Sequence, residues 1–168
     1  GALNAASLAC HAHRLRTEVK LLEHVWKNIS SDKVYTPQSG KLLGSASIML
    51  FASMRTKDTD VPISLLDNSP LLHLLQRVLK LDKIQRNIDR GLLDALSITT
   101  SSYNTGESVS FYQGMKGLSD WQGPHRIGRS GTISYSHLMA SSALPVLFPA
   151  VKIDEQFYGD GAVRQLAP

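Results

Sequence analysis

A β-prone hairpin set between helix-like segments constrains the fold of this chain more than any other feature. Segment 95–103 has strand-forming residues, a turn follows at 104–107, and segment 108–112 alternates polar with apolar side chains. Leucines at helical spacing precede the pair in 71–79, and a further helical pattern follows at 135–144. Strands interleaved with helices, without an internal repeat, predict an α/β fold.

Four helices are expected before this hairpin. Residues 1–13 are rich in alanine and predict a helix that approaches its neighbours closely. Thr17 stands where it could cap an amphipathic helix over 18–26. The Asp-Asn-Ser-Pro segment 67–70 predicts a helix start, and a short helix is expected over 82–89.

Two long segments are expected to be irregular because glycine and proline interrupt them. They are 35–65 and 113–131. The apolar run 48–51 fits a lid or membrane-facing surface and equally fits a buried strand. After the helix at 135–144, the chain is expected to run to 151–154 and turn back towards Asp160.

Composition describes one globular domain with a mildly basic charge. The 168 residues are 42% hydrophobic and 19% charged, with a net charge of +4. This charge leaves open attraction to an anionic surface, but the cations are scattered among acids, so nucleic-acid binding is not expected. Cys10 is the single cysteine, so an intrachain disulfide is excluded. Its side chain is expected to be a small buried hydrophobe.

No targeting or membrane-spanning segment is expected within this chain. No run reaches the roughly 18 to 20 apolar residues of a membrane span, and no signal-peptide pattern follows Gly1. A cytoplasmic or membrane-peripheral location is therefore favoured. Trp26 and Trp121 are interpreted as aromatics of the core or its rim.

The residues with the most chemical interest are Gly159, Asp160 and Gly161, a carboxylate in a glycine-flanked turn. Glycine permits a positive φ and lets another group come close, although an ordinary hairpin turn has the same sequence. A Ser-His-Asp triad with His125 or His137 is the alternative, but His137 is expected on the helix that starts at Tyr135, where a histidine more often packs or lies at the surface.

The other histidines do not favour a metal site. His11 and His13 are two residues apart and so do not share a helical face, and His24 follows one helix later. No metal ligand is expected.

The end and the beginning of the chain resemble one family. The segments that carry the likeness are 140–145 (Ala-Ser-Ser-Ala-Leu-Pro), Phe148-Pro149, Ile153-Asp154, Tyr158 and Asp160-Gly161-Ala162. This order is similar to the C-terminal signature of the patatin-like phospholipases. The opening segment 1–6 also resembles the residues that follow the nucleophile of that family, with Gly1 as the last glycine of Gly-x-Ser-x-Gly.

The resemblance implies a three-layer α/β fold around a central, mostly parallel sheet. Residues 1–168 would form part of a patatin-like domain, with its N-terminal strands, nucleophile serine and glycine-rich oxyanion loop before Gly1. Asp160 would be the catalytic carboxylate of a Ser-Asp dyad, with Gly161, Ala162 and Gly1 as active-site motif residues. Ala162 stands where many members have glycine. The chain alone is then expected to be inactive.

The resemblance also implies the substrate and partners. Members are lipid acyl hydrolases of the phospholipase A or esterase type and need no metal or cofactor. Phospholipids or other lipid esters would be the substrate, with peripheral membrane contact and no nucleic acid. The alternative is a non-catalytic patatin-like module that binds a lipid surface or a partner, and the residue two positions before Gly1 decides between the two.

Overall fold

The structure combines helices with a six-stranded main sheet and a separate two-stranded sheet. The computed structural model describes residues 1–28, 36–37, 66–145 and 147–161. The helices are α1 (Ala2–Cys10), α2 (Leu15–Asn28), α3 (Ser69–Val78), α4 (Asp82–Asp89) and α5 (Tyr135–Ala140), with a 3-10 helix at Ala12–Arg14. The strands are β1 (Thr36–Pro37), β2 (Leu66–Asp67), β3 (Ala95–Ser102), β4 (Ser108–Gly114), β5 (Trp121–Gly123), β6 (Arg126–Ser130), β7 (Val151–Ile153) and β8 (Gln156–Asp160).

Six strands form the main sheet in the order β5-β6-β4-β3-β8-β7. Among the described strands of this sheet, only β4 and β6 pair in parallel, and the other four pairings are antiparallel. The α/β class is confirmed, but the expected mostly parallel arrangement is not. The reason is the short connections of β3–β4, β5–β6 and β7–β8, because a tight hairpin can join only antiparallel strands.

One face of this sheet carries the helices and the core. On β3, the side chains of Leu96, Ile98 and Thr100 alternate into that face and are buried. Helix α1 packs on β3 and α4 and contributes Ala6 and Cys10, both fully buried. The small side chains of α1 allow its Cα atoms to lie within 8 Å of Cα atoms of β3 and α4.

Side-chain hydrogen bonds fix two helix ends. The carboxylate of Asp67 accepts hydrogen bonds from the backbone N–H (3.0 Å) and the hydroxyl (2.7 Å) of Ser69, which stabilise the start of α3. The Asn87 amide on α4 donates to the carbonyls of Ala9 (2.7 Å) and Cys10 (3.2 Å), where α1 ends and its carbonyls lack helical partners.

Several boundaries differ from the sequence prediction. Helix α2 begins at Leu15, so Thr17 is inside it rather than at its cap. The prediction that 113–131 is irregular is wrong, because β4 continues to Gly114 and both β5 and β6 lie in this segment. Two of the glycines that suggested a loop, Gly114 and Gly128, allow close packing of neighbouring side chains, whereas Gly117 has the positive φ of a loop residue. At Gly128 a Cβ atom would overlap the indole of Trp121, which lies across this position of β6.

The apolar run 48–51 and almost all of 35–65 lie outside the described residues. Thr36 and Pro37 are described, and they pair with Asp67 and Leu66 in a separate two-stranded sheet. Among the described helices, none is both long enough and apolar enough to cross a membrane.

Candidate active site

Asp160 is the last residue of β8, a strand inside the main sheet. It lies directly opposite Thr100 of β3. Opposed residues of antiparallel strands point to the same face, and Thr100 is fully buried on the helix-covered face. The Asp160 side chain therefore lies on the face where α1 and α5 pack, and it is half-buried there.

The backbone of Asp160 joins two of the sequence segments that the family resemblance combines. Its N–H donates a hydrogen bond of 2.9 Å to the carbonyl of Ala143, in the turn that follows α5. Ala143 is buried, so a larger side chain there would push against the core. The small-residue segment 140–145 thus holds the end of β8 in place through this hydrogen bond.

The two glycines beside Asp160 allow neighbouring groups to pack closely. A Cβ atom on Gly161 would lie 2.8 Å from the carbonyl oxygen of Thr99, and one on Gly159 would lie 2.7 Å from the hydroxyl of Tyr103. Neither glycine has a positive φ, since the described glycines with that conformation lie elsewhere. Of the two reasons for glycine that the sequence suggested, close approach is the one that applies.

Tyr103 is a neighbour of Asp160 that the sequence did not single out. Its ring packs over Gly159, and its backbone N–H donates to the carbonyl of Phe157 (2.9 Å). The pKa of the Tyr103 phenol is raised, mainly by burial and secondly by the negative charge of Asp160. The only signal for it in the sequence is its place at the end of the predicted strand 95–103.

Gly1 precedes the first turn of α1. Its carbonyl accepts the first helical hydrogen bond, from the N–H of Ala5 (3.0 Å). Gly1 is exposed, and a Cβ atom there would meet no heavy atom within 4 Å. The helix that starts here has the positive end of its dipole at Gly1 and Ala2. Ala162, the third residue of the Asp-Gly-Ala motif, lies outside the described residues.

The side chain of His137 caps the start of its own helix, α5. Its Nδ1 accepts a hydrogen bond of 2.9 Å from the backbone N–H of Ser134, at the start of the helix. The ring packs on Phe111 with 4.3 Å between centroids, and burial lowers the pKa of the imidazole. His125 occupies the β5–β6 turn with φ +57°, and β4 and β3 separate that hairpin from β8. These surroundings do not favour a Ser-His-Asp triad.

The remaining histidines form no metal cluster in the part of the chain that the structure describes. His11 instead lies against a buried carboxylate, with its Nδ1 3.2 Å from Glu18 Oε2. The other oxygen of Glu18 accepts a hydrogen bond of 2.5 Å from the hydroxyl of Ser7. This network joins α2 to α1.

A cavity of about 300 Å³ lies near the β7–β8 hairpin. Its walls include Phe111, Arg129, His137, Asp154 and Tyr158, but not Asp160. The cavity is thus separate from the carboxylate that the sequence motif identifies.

Comparison with known proteins identifies the family. The model of the patatin-like phospholipases matches residues 1–168, the whole chain. Searches of curated proteins and of solved structures gave no match. The chain therefore belongs to the patatin-like phospholipases, a family of lipid acyl hydrolases.

Proposed function

We propose that the protein hydrolyses carboxylic ester bonds of lipids through a Ser-Asp dyad. Asp160 is the carboxylate partner, and the nucleophile is a serine two residues before Gly1. Family membership supports the substrate class. The observation that carries the role of Asp160 is its register opposite Thr100, because this puts its side chain on the face where α1 packs.

In the proposed reaction, the Asp160 carboxylate accepts the serine proton while the serine oxygen attacks the ester carbonyl. The proton then passes to the departing alcohol, which leaves an acyl-serine. Water attacks this ester, gives its proton to Asp160, and releases the fatty acid as the proton returns to serine. Asp160 ends each turnover ionised.

The start of α1 would assist this chemistry. A serine just before the helix lies at the positive end of the helix dipole, which stabilises negative charge on its oxygen. The N–H groups of the first turn have no helical acceptors and are free to face that charge. The negatively charged oxygen of the tetrahedral intermediate would be held by the glycine-rich loop that precedes the serine in the family.

The surroundings of Asp160 suit a base that needs no histidine to orient it. Its backbone is held by the hydrogen bond to Ala143 and by the packing of Gly161 against Thr99. Proton transfer requires a heavy-atom separation of about 2.6–3.2 Å. A carboxylate on a paired strand keeps such a separation better than one on an open loop.

The test is fatty-acid release from phospholipid vesicles by the full-length protein and its Asp160→Asn variant. Loss of the base is expected to lower kcat roughly 10²- to 10⁴-fold. The matched control is Asp154→Asn, in the exposed β7–β8 turn, where φ is +51° and asparagine is well tolerated. Full activity of Asp160→Asn would refute the dyad. A wild-type protein that binds vesicles but releases no fatty acid would instead be the non-catalytic module.

A further inference from the structure

Helix α2 exposes most of its apolar side chains. Leu15, Val19 and Trp26 are 50%, 54% and 51% exposed, and together with the half-buried Leu22 they follow each other at helical spacing. We call these four residues the α2 stripe. Glu18 is the one buried residue of this helix. A helix of a globular protein normally buries such a stripe, so this surface is suited to contact with another apolar body.

The tryptophan of the stripe is held in place by α1. The indole Nε1–H of Trp26 donates a hydrogen bond of 2.8 Å to the side-chain carbonyl of Asn4. This satisfies the only polar atom of the indole and leaves its apolar surface to the outside. Asn4 is in the first turn of α1, three residues after Gly1. The α2 stripe thus ends beside the helix start that the proposed function assigns to the nucleophile.

Basic side chains flank the α2 stripe on one side. At about 100° per residue, Arg16, Lys20 and Lys27 lie together next to the stripe, and all three are exposed. The acid on this flank is Glu23, which pairs with Lys27 at 2.7 Å. We call Arg16, Lys20 and Lys27 the basic flank. Cations beside an exposed apolar stripe are typical of helices that lie in a lipid–water interface, where the cations reach lipid phosphates.

We propose that the α2 stripe and its basic flank dock on an anionic lipid surface, with α2 lying along it, and so bring the start of α1 to the lipid. This proposal relies on the proposed function for the identity of the substrate, a lipid ester. Charge complementarity favours an anionic lipid surface as the partner, because the basic flank is cationic and attracts anionic head groups. A second copy of the chain, which also carries a net charge of +4, would instead bring two cationic surfaces together.

The test is flotation of the full-length protein with vesicles of phosphatidylcholine and with an equimolar mixture of phosphatidylcholine and phosphatidylglycerol. Binding to the mixed vesicles is expected to exceed binding to the neutral ones. The variant Arg16→Glu/Lys20→Glu should lower partitioning at least roughly tenfold. The variant Leu15→Ser/Val19→Ser should lower it by a similar factor, roughly tenfold.

Matched controls carry the same changes at exposed positions elsewhere. They are Arg77→Glu/Lys116→Glu for charge and Val78→Ser/Leu92→Ser for apolar surface. Both should keep partitioning close to wild type. Equal losses in the controls and the α2 variants would overturn the proposal, since binding would then not depend on α2.

Two further outcomes would also overturn it. The first is a dimer in solution that the α2 variants dissociate, which would make the stripe a contact between copies. The second is equal hydrogen-exchange protection of α2 with and without vesicles, which would mean that another part of the protein covers it. Flotation needs no hydrolysis, so it decides the docking even if the wild type cleaves no ester. Conversely, vesicle binding retained by an inactive Asp160→Asn variant supports both proposals.

Discussion

One methyl group added beside Asp160 tests how strictly the fold fixes this carboxylate. In Gly161→Ala the new Cβ would lie 2.8 Å from the carbonyl oxygen of Thr99 and 3.1 Å from its carbonyl carbon. Ordinary contact begins at 3.4 Å, so the overlap with the oxygen is about 0.6 Å. The carbonyl group of Thr99 belongs to the backbone of β3, which is paired with β4 on one side and β8 on the other, so it cannot move away. Overpacking of this kind costs about 1–3 kcal/mol.

The neighbouring glycine provides the matched control. In Gly159→Ala the new Cβ would meet the ring of Tyr103 at 2.7–3.0 Å. These atoms are the end of a side chain that is 44% exposed, so the ring can rotate outward. We expect Gly159→Ala to cost clearly less than Gly161→Ala, and Tyr103→Ala to relieve it further.

The measurements are the thermal midpoint and fatty-acid release of the full-length protein. About 2 kcal/mol corresponds to a fall of roughly 6 °C in Tm for Gly161→Ala, for a domain of 150–250 residues. At a temperature where both variants are folded, Gly161→Ala should also lose more activity, because a shift of about 1 Å in a reacting group can cost roughly 10²-fold. Equal Tm values and equal activities for the two variants would refute this reasoning.

Three further predictions concern buried groups. Glu18→Ala leaves the Ser7 hydroxyl without its acceptor and should lower the free energy of unfolding by about 2–4 kcal/mol, measured in urea. Burial raises the pKa of Cys10 to about 11, so the native protein should resist iodoacetamide at pH 8 while the unfolded protein reacts, as mass spectrometry can show. The pKa of His137 is lowered from 6.5 by burial. The unfolded state therefore binds more protons below pH 6.5, so stability should fall as pH drops through that value, and His137→Gln should reduce this dependence in urea titrations at pH 5–7.

Each of these predictions has a result that contradicts it. Glu18→Ala with wild-type stability would mean that the α1–α2 network contributes nothing to folding. Equal alkylation of Cys10 in native and unfolded protein would contradict its burial. An unchanged pH dependence in His137→Gln would assign the loss of stability to other groups.

Local signals in the sequence predicted the elements that depend on few distant contacts. The hairpin of β3 and β4 has its own turn, and α3 begins where Asp67 bonds Ser69, so both were found. Strands β5 and β6 were missed because their glycines resemble a loop. Strand β6 forms through pairing with β4, and β5 pairs in turn with β6, where Gly128 packs under Trp121. The local sequence does not encode these pairings.

The candidate site divides in the same way. The motif around Asp160 was visible because its residues are close in sequence. The contacts of Tyr103 and Thr99 with the flanking glycines depend on the register of β3 with β8, which are far apart along the chain. Helical spacing likewise predicted an apolar side of α2, but spacing alone did not show that Trp26 remains half exposed while Asn4 holds its indole.

The Ser-Asp dyad is tested most directly by reaction of the full-length protein with a fluorophosphonate, a reagent that labels activated serines. We expect one labelled serine, two residues before Gly1 by peptide mapping, and a labelling rate in Asp160→Asn that is at least roughly 10²-fold lower than in the wild type. Asp154→Asn should be labelled at the wild-type rate. A labelled serine elsewhere, or equal labelling rates in the wild type and Asp160→Asn, would contradict the Ser-Asp dyad.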